Sequence, residues 1–411
     1  MRNRILYVAL MAVSSIIGLV KMLVFSNLLP VAEFGVYSLI LVASIYLIFV
    51  FNLGLEPGFL RNGAMLWGTG NKERLGLIYR QVITLTILIG FMATFANYIL
   101  VERFVEPKFG TFKYLSIFSI SILLFNLTTC YLRVCGHLVS FSFCFALKQI
   151  LVIPLVLLLF DDFGLLSIIY AEVGVTLLVV CIILYATSFN FCWPNILVLA
   201  PLFKVGFPFT FNYFIRTLVI SVDRWVVTIA LGVVSFGYYS FAMIAFTSIQ
   251  AVANIIIQAT VPKWIAEYGA TKDISLFQNN IKKTQVRIVI FALPIALITM
   301  LSLDFIMASF FDKYALAIDA MRVIIIASLF HIINFYEHLF IALEKGYRLI
   351  RITLINSVIV SSFLFAGWYF QQSIFYYACV FLLGRVMVLM LTYTFSKQII
   401  VEHNQGLHHA K

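Results

Sequence analysis

Polar residues recur at helical spacing inside some of the most apolar stretches of the chain. Asn212, Arg216 and Asp223 follow one another at intervals of four and seven residues, which places them on one face of a helix predicted over 204–230. A guanidinium suits an anion, because it donates paired hydrogen bonds to phosphate or carboxylate oxygens. The spacing therefore predicts a polar, ligand-facing side of this helix.

A second polar stripe follows in the next apolar stretch, a helix predicted over 236–259. Thr247, Gln250, Asn254 and Gln258 are spaced by three, four and four residues. A lipid-facing surface would not carry such a stripe, so it either lines a cavity or forms hydrogen bonds between helices. We favour cavity lining, with Gln250, Asn254 and Gln258 as binding residues.

Several charged residues also fall inside apolar stretches. A charge at the centre of a membrane helix costs about 2.5–3.5 kcal/mol on insertion scales, so it usually faces the protein interior and has a function. Lys21 is a candidate cation for ligand binding, together with Arg216. The carboxylates, with one histidine behind them, are the candidates for carrying a coupling proton: Glu172, Asp223, Glu337 and His331.

A histidine-containing group lies on a helix predicted over 319–343. His331, Asn334 and His338 are three and four residues apart, with Glu337 beside them. No Cys or carboxylate stands at a spacing convincing for a metal. We therefore predict no metal site, no cofactor and no catalytic residues.

The composition of the chain indicates the environment in which these polar groups lie. Of 411 residues, 63% are hydrophobic and 11% are charged, whereas soluble domains carry about 25% charged residues. A water-facing surface cannot be built from this composition, which excludes a soluble enzyme, a disordered chain and a coiled coil. The protein is predicted to lie in a lipid bilayer.

The apolar stretches have the length of membrane helices, about 20 residues each. They lack the alternation of a membrane barrel, so the predicted fold is all-α: a polytopic membrane protein with twelve transmembrane helices. The windows are 5–29, 35–55, 80–101, 111–130, 141–160, 163–187, 204–230, 236–259, 286–307, 319–343, 352–370 and 374–396.

The loop charges set the orientation. With the N-terminus inside, eighteen Lys and Arg residues lie on the cytoplasmic side and four on the other, and this bias predicts cytoplasmic N- and C-termini. The net charge of +11 thus follows from membrane topology, and nucleic acid is excluded as a partner.

A short motif repeats 202 residues apart. Glu33-Phe34-Gly35-Val36-Tyr37-Ser38 recurs as Ser235-Phe236-Gly237-Tyr238-Tyr239-Ser240, each time opening the second helix of a six-helix set. This predicts two parallel six-helix lobes, 1–200 and 201–411, around a central polar cavity, a design used by transporters. The same offset relates Lys21 to Asp223, and we expect these two charges to approach each other across the lobes in one transport state.

These features resemble the polysaccharide-repeat-unit (O-antigen, Wzx-type) flippases of the multidrug/oligosaccharidyl-lipid/polysaccharide (MOP) exporter superfamily. The resemblance covers essentially the whole chain. Its motifs are Asn27-Leu28-Leu29-Pro30, Glu33-Phe34-Gly35-Val36-Tyr37, Phe51-Asn52-Leu53-Gly54-Leu55-Glu56, Gly206-Phe207-Pro208, Asp223-Arg224, Gly232 and Gly237-Tyr238-Tyr239.

The resemblance implies a location and a substrate. It places the chain in the bacterial inner (cytoplasmic) membrane, where it would move undecaprenyl-pyrophosphate-linked oligosaccharide to the outer leaflet by alternating access, for O-antigen, lipopolysaccharide or capsule synthesis. It also implies a polysaccharide polymerase and a chain-length regulator as partners.

Two other function classes remain open. A multidrug or cation antiporter of the same superfamily would favour acidic and aromatic groups in its cavity, whereas this chain offers Arg216 and Lys21. A membrane polysaccharide polymerase or ligase would be an enzyme with a large outer loop, and no outer loop here exceeds about a dozen residues.

Overall fold

The computed structural model consists of helices and turns throughout the part of the chain that it describes. It describes the backbone over 2–104, 107–271, 273–343 and 345–409, and within these ranges it leaves undescribed the side chains of residues 2–5, 104, 107–109, 212, 216, 219, 220, 252–256, 258, 259, 262, 263, 265–267, 269–271, 291, 341, 342, 346 and 403–409.

Fourteen α-helices follow one another in the described ranges, with short 3-10 segments at Pro107–Tyr114 and Asp312–Ala317. The helices are α1 Arg2–Leu28, α2 Val31–Asn52, α3 Leu55–Gly68, α4 Lys72–Phe104, α5 Leu115–Val134, α6 Leu138–Phe163, α7 Leu165–Ala186, α8 Ile196–Ile220, α9 Val222–Thr271, α10 Ile274–Phe310, α11 Ile318–Ile332, α12 Glu337–Ala342, α13 Gly346–Tyr369 and α14 Ile374–His409.

Twelve spans in the described residues are long and apolar enough to cross a bilayer, which confirms the predicted all-α membrane fold. A span such as Val31–Asn52 has 22 residues, or about 33 Å of helix, which matches a hydrocarbon core of about 30 Å. Large apolar side chains point outward along these spans, among them Leu301, 85% exposed, and Leu158, 78% exposed. Such exposure is stable only against lipid tails.

The chain divides into two compact units, Met1–Leu218 and Val219–Lys411. The division follows Leu218, within α8, whereas the sequence placed the lobe boundary at 200/201. In the first unit α1 packs against α6, α6 packs against α7, and α5 packs against both α2 and α7. In the second unit α11 packs against α9 and α14, and α13 packs against α14.

Two predicted helices are interrupted, and both corrections affect predicted binding faces. The helix predicted over 204–230 ends at Ile220, and Asp223 lies in the first turn of α9. The helix predicted over 319–343 ends at Ile332 and resumes at Glu337. Since helical spacing has no meaning across a break, neither set of polar residues lies along one continuous helix.

Helix α9 contains a further discontinuity. Gly232, at φ +81°, is non-helical and joins two helical stretches. A residue with a Cβ would be strained at this φ, whereas glycine adopts it readily. The break separates Asp223, before it, from the repeated motif at 235–240.

The first unit also contains a backbone crossing without room for side chains. The turn between α2 and α3 meets α8 so closely that a Cβ on Gly206 would lie 1.8 Å from the carbonyl oxygen of Gly54. A Cβ on Gly58 would lie 2.3 Å from the carbonyl oxygen of Leu202. Gly54 itself has a φ of +94°. The motifs 51–56 and 206–208, quoted above for the family resemblance, therefore meet in space.

Candidate functional site

A buried ion pair joins the first and sixth membrane spans. The ammonium Nζ of Lys21 on α1 donates a hydrogen bond of 2.5 Å to the carboxylate Oε1 of Glu172 on α7. The two side chains are only 9% and 7% exposed. Because an isolated charge in such surroundings is strongly unfavourable, each of these groups depends on the other.

A second lysine makes this pair a cluster of three charges. Lys148 on α6 interacts electrostatically with both Glu172 and Lys21, and its Nζ lies 5.0 Å from the centre of the Phe125 ring. We call Lys21, Lys148 and Glu172 the Lys21 cluster. With both lysines counted as ammonium groups and Glu172 as a carboxylate, its formal net charge is +1. Lys148 is a charge inside a predicted span that the sequence analysis assigned to no site.

Aromatic rings enclose one side of the Lys21 cluster. The Nζ of Lys21 lies 5.9 Å from the centre of the Phe25 ring, and Phe25 packs edge-on against Tyr37 at a centroid distance of 5.7 Å. Tyr37, in the repeated motif, is 1% exposed and interacts electrostatically with Glu172. The aromatic faces contribute a modest additional attraction for the cation.

Two polar atoms near the cluster are buried without a hydrogen-bond partner among the described residues. They are the hydroxyl Oγ1 of Thr176 and the amide Oε1 of Gln149. Thr176 lies one turn after Glu172 on the same face of α7. Gly18 on α1 faces Gln149, and a Cβ there would lie 3.7 Å from the Gln149 amide carbon. Unpartnered buried polar atoms are unusual, which makes these two candidates for contact with a ligand or water.

The second unit contains a buried acid in the first turn of α9. Asp223, 4% exposed, accepts a hydrogen bond of 2.6 Å at Oδ2 from the hydroxyl of Tyr239. Tyr239 belongs to the second copy of the repeated motif and is fully buried. The other carboxylate oxygen, Oδ1, is buried without a partner among the described residues.

An arginine on α14 balances this acid. Arg385 interacts electrostatically with Asp223 and Tyr239, and its guanidinium carbon lies 4.9 Å from the Phe246 ring and 4.5 Å from the Phe381 ring. We call Asp223, Tyr239 and Arg385 the Asp223 cluster. Arg385 is a charge inside a predicted span that the sequence analysis assigned to no site.

The histidine group of the predicted tenth span is split by the break after α11. His331 lies next to the end of α11, 5.1 Å from the Phe246 ring. Glu337 begins α12 and accepts a 3.0 Å hydrogen bond from the side-chain amide of Asn334. Within the described residues, no group of three His, Cys, Asp or Glu is placed to hold a metal ion.

Lys21 and Asp223, which were expected to pair with each other, each bind another residue of their own unit. Lys21 is bound to Glu172, and Asp223 is bound to Tyr239. The charges at equivalent positions of the repeat thus each have a partner within their own unit. Their approach in another transport state remains a prediction.

The remaining predicted binding residues lie on α8 and α9. Gln250 is partly exposed on α9. The other four lie outside the described side chains, so the structure gives their helices but not their contacts: Asn212, Arg216, Asn254 and Gln258.

Two carboxyl groups outside the spans have shifted pKa values. Burial raises the pKa of Glu56, at the start of α3, while Arg133 at 3.5 Å opposes that shift. Hydrogen bonds from the hydroxyl and backbone NH of Ser275 lower the pKa of Asp273, the N-cap of α10. Asp273 stabilises a helix start, and Glu56 joins α3 to α5.

Comparison with known proteins identifies the fold. No protein-family model matches the sequence, and no curated protein matches it. An inward-facing multidrug resistance MATE family transporter of the MOP superfamily has a TM-score of 0.74 and 15% identity, over 95% of this chain and 96% of that chain. An outward-facing transporter of the same description has a TM-score of 0.66 and 17% identity, over 98% and 96%.

A third similar structure is a MOP superfamily transporter from Pyrococcus furiosus Vc1, for which the reverse polarity of its binding pocket suggests a different function. Its TM-score is 0.65 at 15% identity, over 98% of this chain and 96% of that chain. At such identities the likeness concerns the fold, which extends over nearly the whole length of both chains. This chain therefore has the fold of the MATE transporters of the MOP superfamily.

Proposed function

We propose that this protein is a MOP-type flippase that moves undecaprenyl-pyrophosphate-linked oligosaccharide repeat units from the cytoplasmic to the outer leaflet of the bacterial inner membrane. The observation that carries the proposal is the Lys21 cluster, a buried group of net positive charge within a transporter fold. A cation-binding pocket would be expected to carry the opposite charge. The relative from Pyrococcus furiosus, with its pocket of reverse polarity, supports a link between pocket charge and function in this fold.

The chemistry of the substrate explains why such a protein is needed. A headgroup with many hydroxyls and a diphosphate cannot cross hydrocarbon unaided, because its polar groups would lose their hydrogen bonds to water. The polyprenyl tail can remain in lipid throughout. The transporter has to supply cations for the diphosphate and hydrogen-bonding groups for the sugars.

The polar residues of α8 and α9 are the proposed sugar and diphosphate contacts. Arg216 would join Lys21 in binding the diphosphate. The amide side chains would bind sugar hydroxyls: Asn212, Gln250, Asn254 and Gln258. Outward movement of a negative headgroup is favoured by an inside-negative potential, by about 2.3 kcal/mol per charge per 100 mV.

A multidrug or cation antiporter is the second candidate. It is favoured by Asp223, whose Oδ1 is buried and unpartnered among the described residues and so offers a place for a proton or cation. The MATE neighbours described as multidrug resistance transporters support the same alternative. An enzyme such as a polymerase or ligase is not proposed, since the similar structures are transporters.

Deletion of the gene, followed by analysis of lipid-linked sugars, tests the function. We expect undecaprenyl-linked repeat units to accumulate on the cytoplasmic leaflet and surface polysaccharide to fall. An unchanged lipid-linked pool together with increased drug sensitivity would refute the flippase and favour the antiporter.

Arg216→Ala tests the proposed diphosphate contact. Expressed at the normal level, it should leave repeat units on the cytoplasmic side. The matched control is Arg322→Ala, which removes an arginine that pairs with Asp304 at an exposed position and should leave export intact. Unchanged surface polysaccharide in Arg216→Ala would remove Arg216 from the mechanism.

A further inference from the structure

We propose that the Lys21 cluster is a proton-linked anion site, in which a diphosphate-type anion replaces the Glu172 carboxylate on Lys21 while Glu172 takes up one proton. This inference rests on the proposed function, which supplies the class of anion. It assigns Glu172 the role of an internal counter-ion that substrate displaces.

The contacts define what an incoming anion has to replace. Glu172 is the acceptor for the Lys21 ammonium, at 2.5 Å, and also the anion that offsets the charge of Lys148. A phosphate oxygen is an equally good acceptor for an ammonium. Exchange of one acceptor for another keeps Lys21 paired, so binding does not require a bare buried charge at any point.

Further hydrogen-bonding groups stand beside the pair without partners among the described residues. The Thr176 hydroxyl and the Gln149 amide oxygen have none, and the Thr176 hydroxyl can donate to an anion. The Gln149 amide also carries two NH donors. Gly18 leaves the space over this amide free of a side chain. The Thr176 hydroxyl thus offers one donor that the described contacts leave unused.

The charge balance determines the fate of Glu172. The cluster has a net charge of +1 with its carboxylate ionised, and a diphosphate group brings about two negative charges. Both anions together would leave an excess of negative charge at a buried site, which is strongly unfavourable. If the displaced carboxylate takes one proton from water and becomes a neutral carboxylic acid, the two ammonium groups balance the diphosphate.

The groups facing Glu172 leave it as the site of proton uptake. Helix α1 contributes Lys21, α6 contributes Lys148, and α2 contributes the phenol Tyr37. Helix α5 packs the apolar Phe118 against α7. Glu172 is the only carboxylate among these groups, and it loses its ammonium partner when an anion arrives, so it is the group that takes up a proton.

This arrangement sets the direction of coupling. Anion and proton favour each other's binding, and by thermodynamic reciprocity each raises the affinity for the other. The affinity for the anion should therefore rise as the pH falls.

The test is titration calorimetry of the purified full-length protein in detergent with inorganic pyrophosphate and, separately, with a polyprenyl diphosphate. Measurements in buffers of different ionisation enthalpy give the number of protons taken up. Because the probe itself can change its protonation on binding, the relevant quantity is the difference between wild type and Glu172→Gln. We expect about one proton fewer in Glu172→Gln with anion binding retained, and about a 10- to 100-fold loss of affinity in Lys21→Gln.

Equal proton uptake in wild type and Glu172→Gln would overturn the proposal, as would unchanged affinity in Lys21→Gln. Infrared difference spectra of wild type keep the test independent of variant folding: anion addition should produce the carbonyl band of a protonated carboxylic acid, and its absence would also refute the idea. Polyprenyl diphosphate binding without proton uptake would contradict this inference alone. Failure of wild type to bind the polyprenyl diphosphate would contradict the flippase as well.

Discussion

Removal of either member of the Lys21–Glu172 pair should destabilise the first unit strongly and unequally. Truncating one partner of a buried ion pair costs about 3–5 kcal/mol, because the other charge remains buried without compensation. Lys21→Met leaves Glu172 with Lys148, so we place its cost at the lower end, about 3 kcal/mol. Glu172→Gln leaves two lysines without their carboxylate, so its cost should approach about 5 kcal/mol.

Denaturant unfolding in detergent micelles measures these costs, and a double-mutant cycle isolates the pair itself. In Lys21→Met/Glu172→Gln the two effects should fall short of additivity by more than about 1 kcal/mol, as expected for groups in contact. The matched control is Arg322→Met. Arg322 binds Asp304 at 2.6 Å, but the side chains are 37% and 65% exposed, and an exposed pair contributes about 1 kcal/mol or less.

Two outcomes would refute the reasoning. If Glu172→Gln costs no more than Arg322→Met, the Lys21–Glu172 pair is not held in a low-dielectric environment. If Lys21→Met costs more than Glu172→Gln, Lys148 does not share the carboxylate, and the net charge assigned to the cluster is wrong.

Two further predictions concern close packing and the buried acid. Gly206→Ala would place a methyl group 1.8 Å from a backbone oxygen of the α2–α3 turn. It should cost about 3 kcal/mol or more, which would be seen as a loss of monodisperse protein. The control is Gly174→Ala, where a Cβ has nothing within 4 Å, and equal yields of the two variants would contradict the close approach of α8 to the α2–α3 turn. Tyr239→Phe removes the hydrogen bond to Asp223 and should lower the free energy of unfolding by about 1.5–3 kcal/mol. Tyr377→Phe, which removes a hydroxyl unpartnered among the described residues, should cost less, and the reverse order would refute the role of Tyr239.

The fold could be predicted from the sequence because membrane helices depend on local composition. Each long apolar stretch predicts one membrane span, and the turn residues between the stretches mark the ends of the helices. The breaks at Ser221 and after Ile332 were missed because neither contains a Pro or Gly that would mark the end of a helix. Hydropathy does not register a change in backbone conformation within a bilayer.

The residues of the two clusters could be found in part, but their partners could not. Buried charges in spans indicated Lys21, Glu172 and Asp223 individually. The pairing of Lys21 with Glu172 joins positions 151 residues apart, and no local motif encodes such a contact. Arg385 was visible as a charge in a span, yet its relation to Asp223 depends on how α14 packs against α9.

The repeat explains the partners once the two units are compared with each other. In the first unit Lys21 lies in the first span and Tyr37 in the second, while the last span, α7, supplies Glu172. In the second unit the corresponding positions are Asp223 and Tyr239, 202 residues later, and the last span, α14, supplies Arg385. Each unit thus combines a charge, a fully buried tyrosine and an opposite charge, with the signs inverted between units. The opposite signs of Lys21 and Asp223 suggested an attraction between them, but each charge has a partner within its own unit. The Lys21 cluster contains one more cation than anions. In the Asp223 cluster, one carboxylate oxygen has no hydrogen-bond partner among the described residues. On the proposed function, a diphosphate would bind at the Lys21 cluster, whose formal charge is positive, within Met1–Leu218.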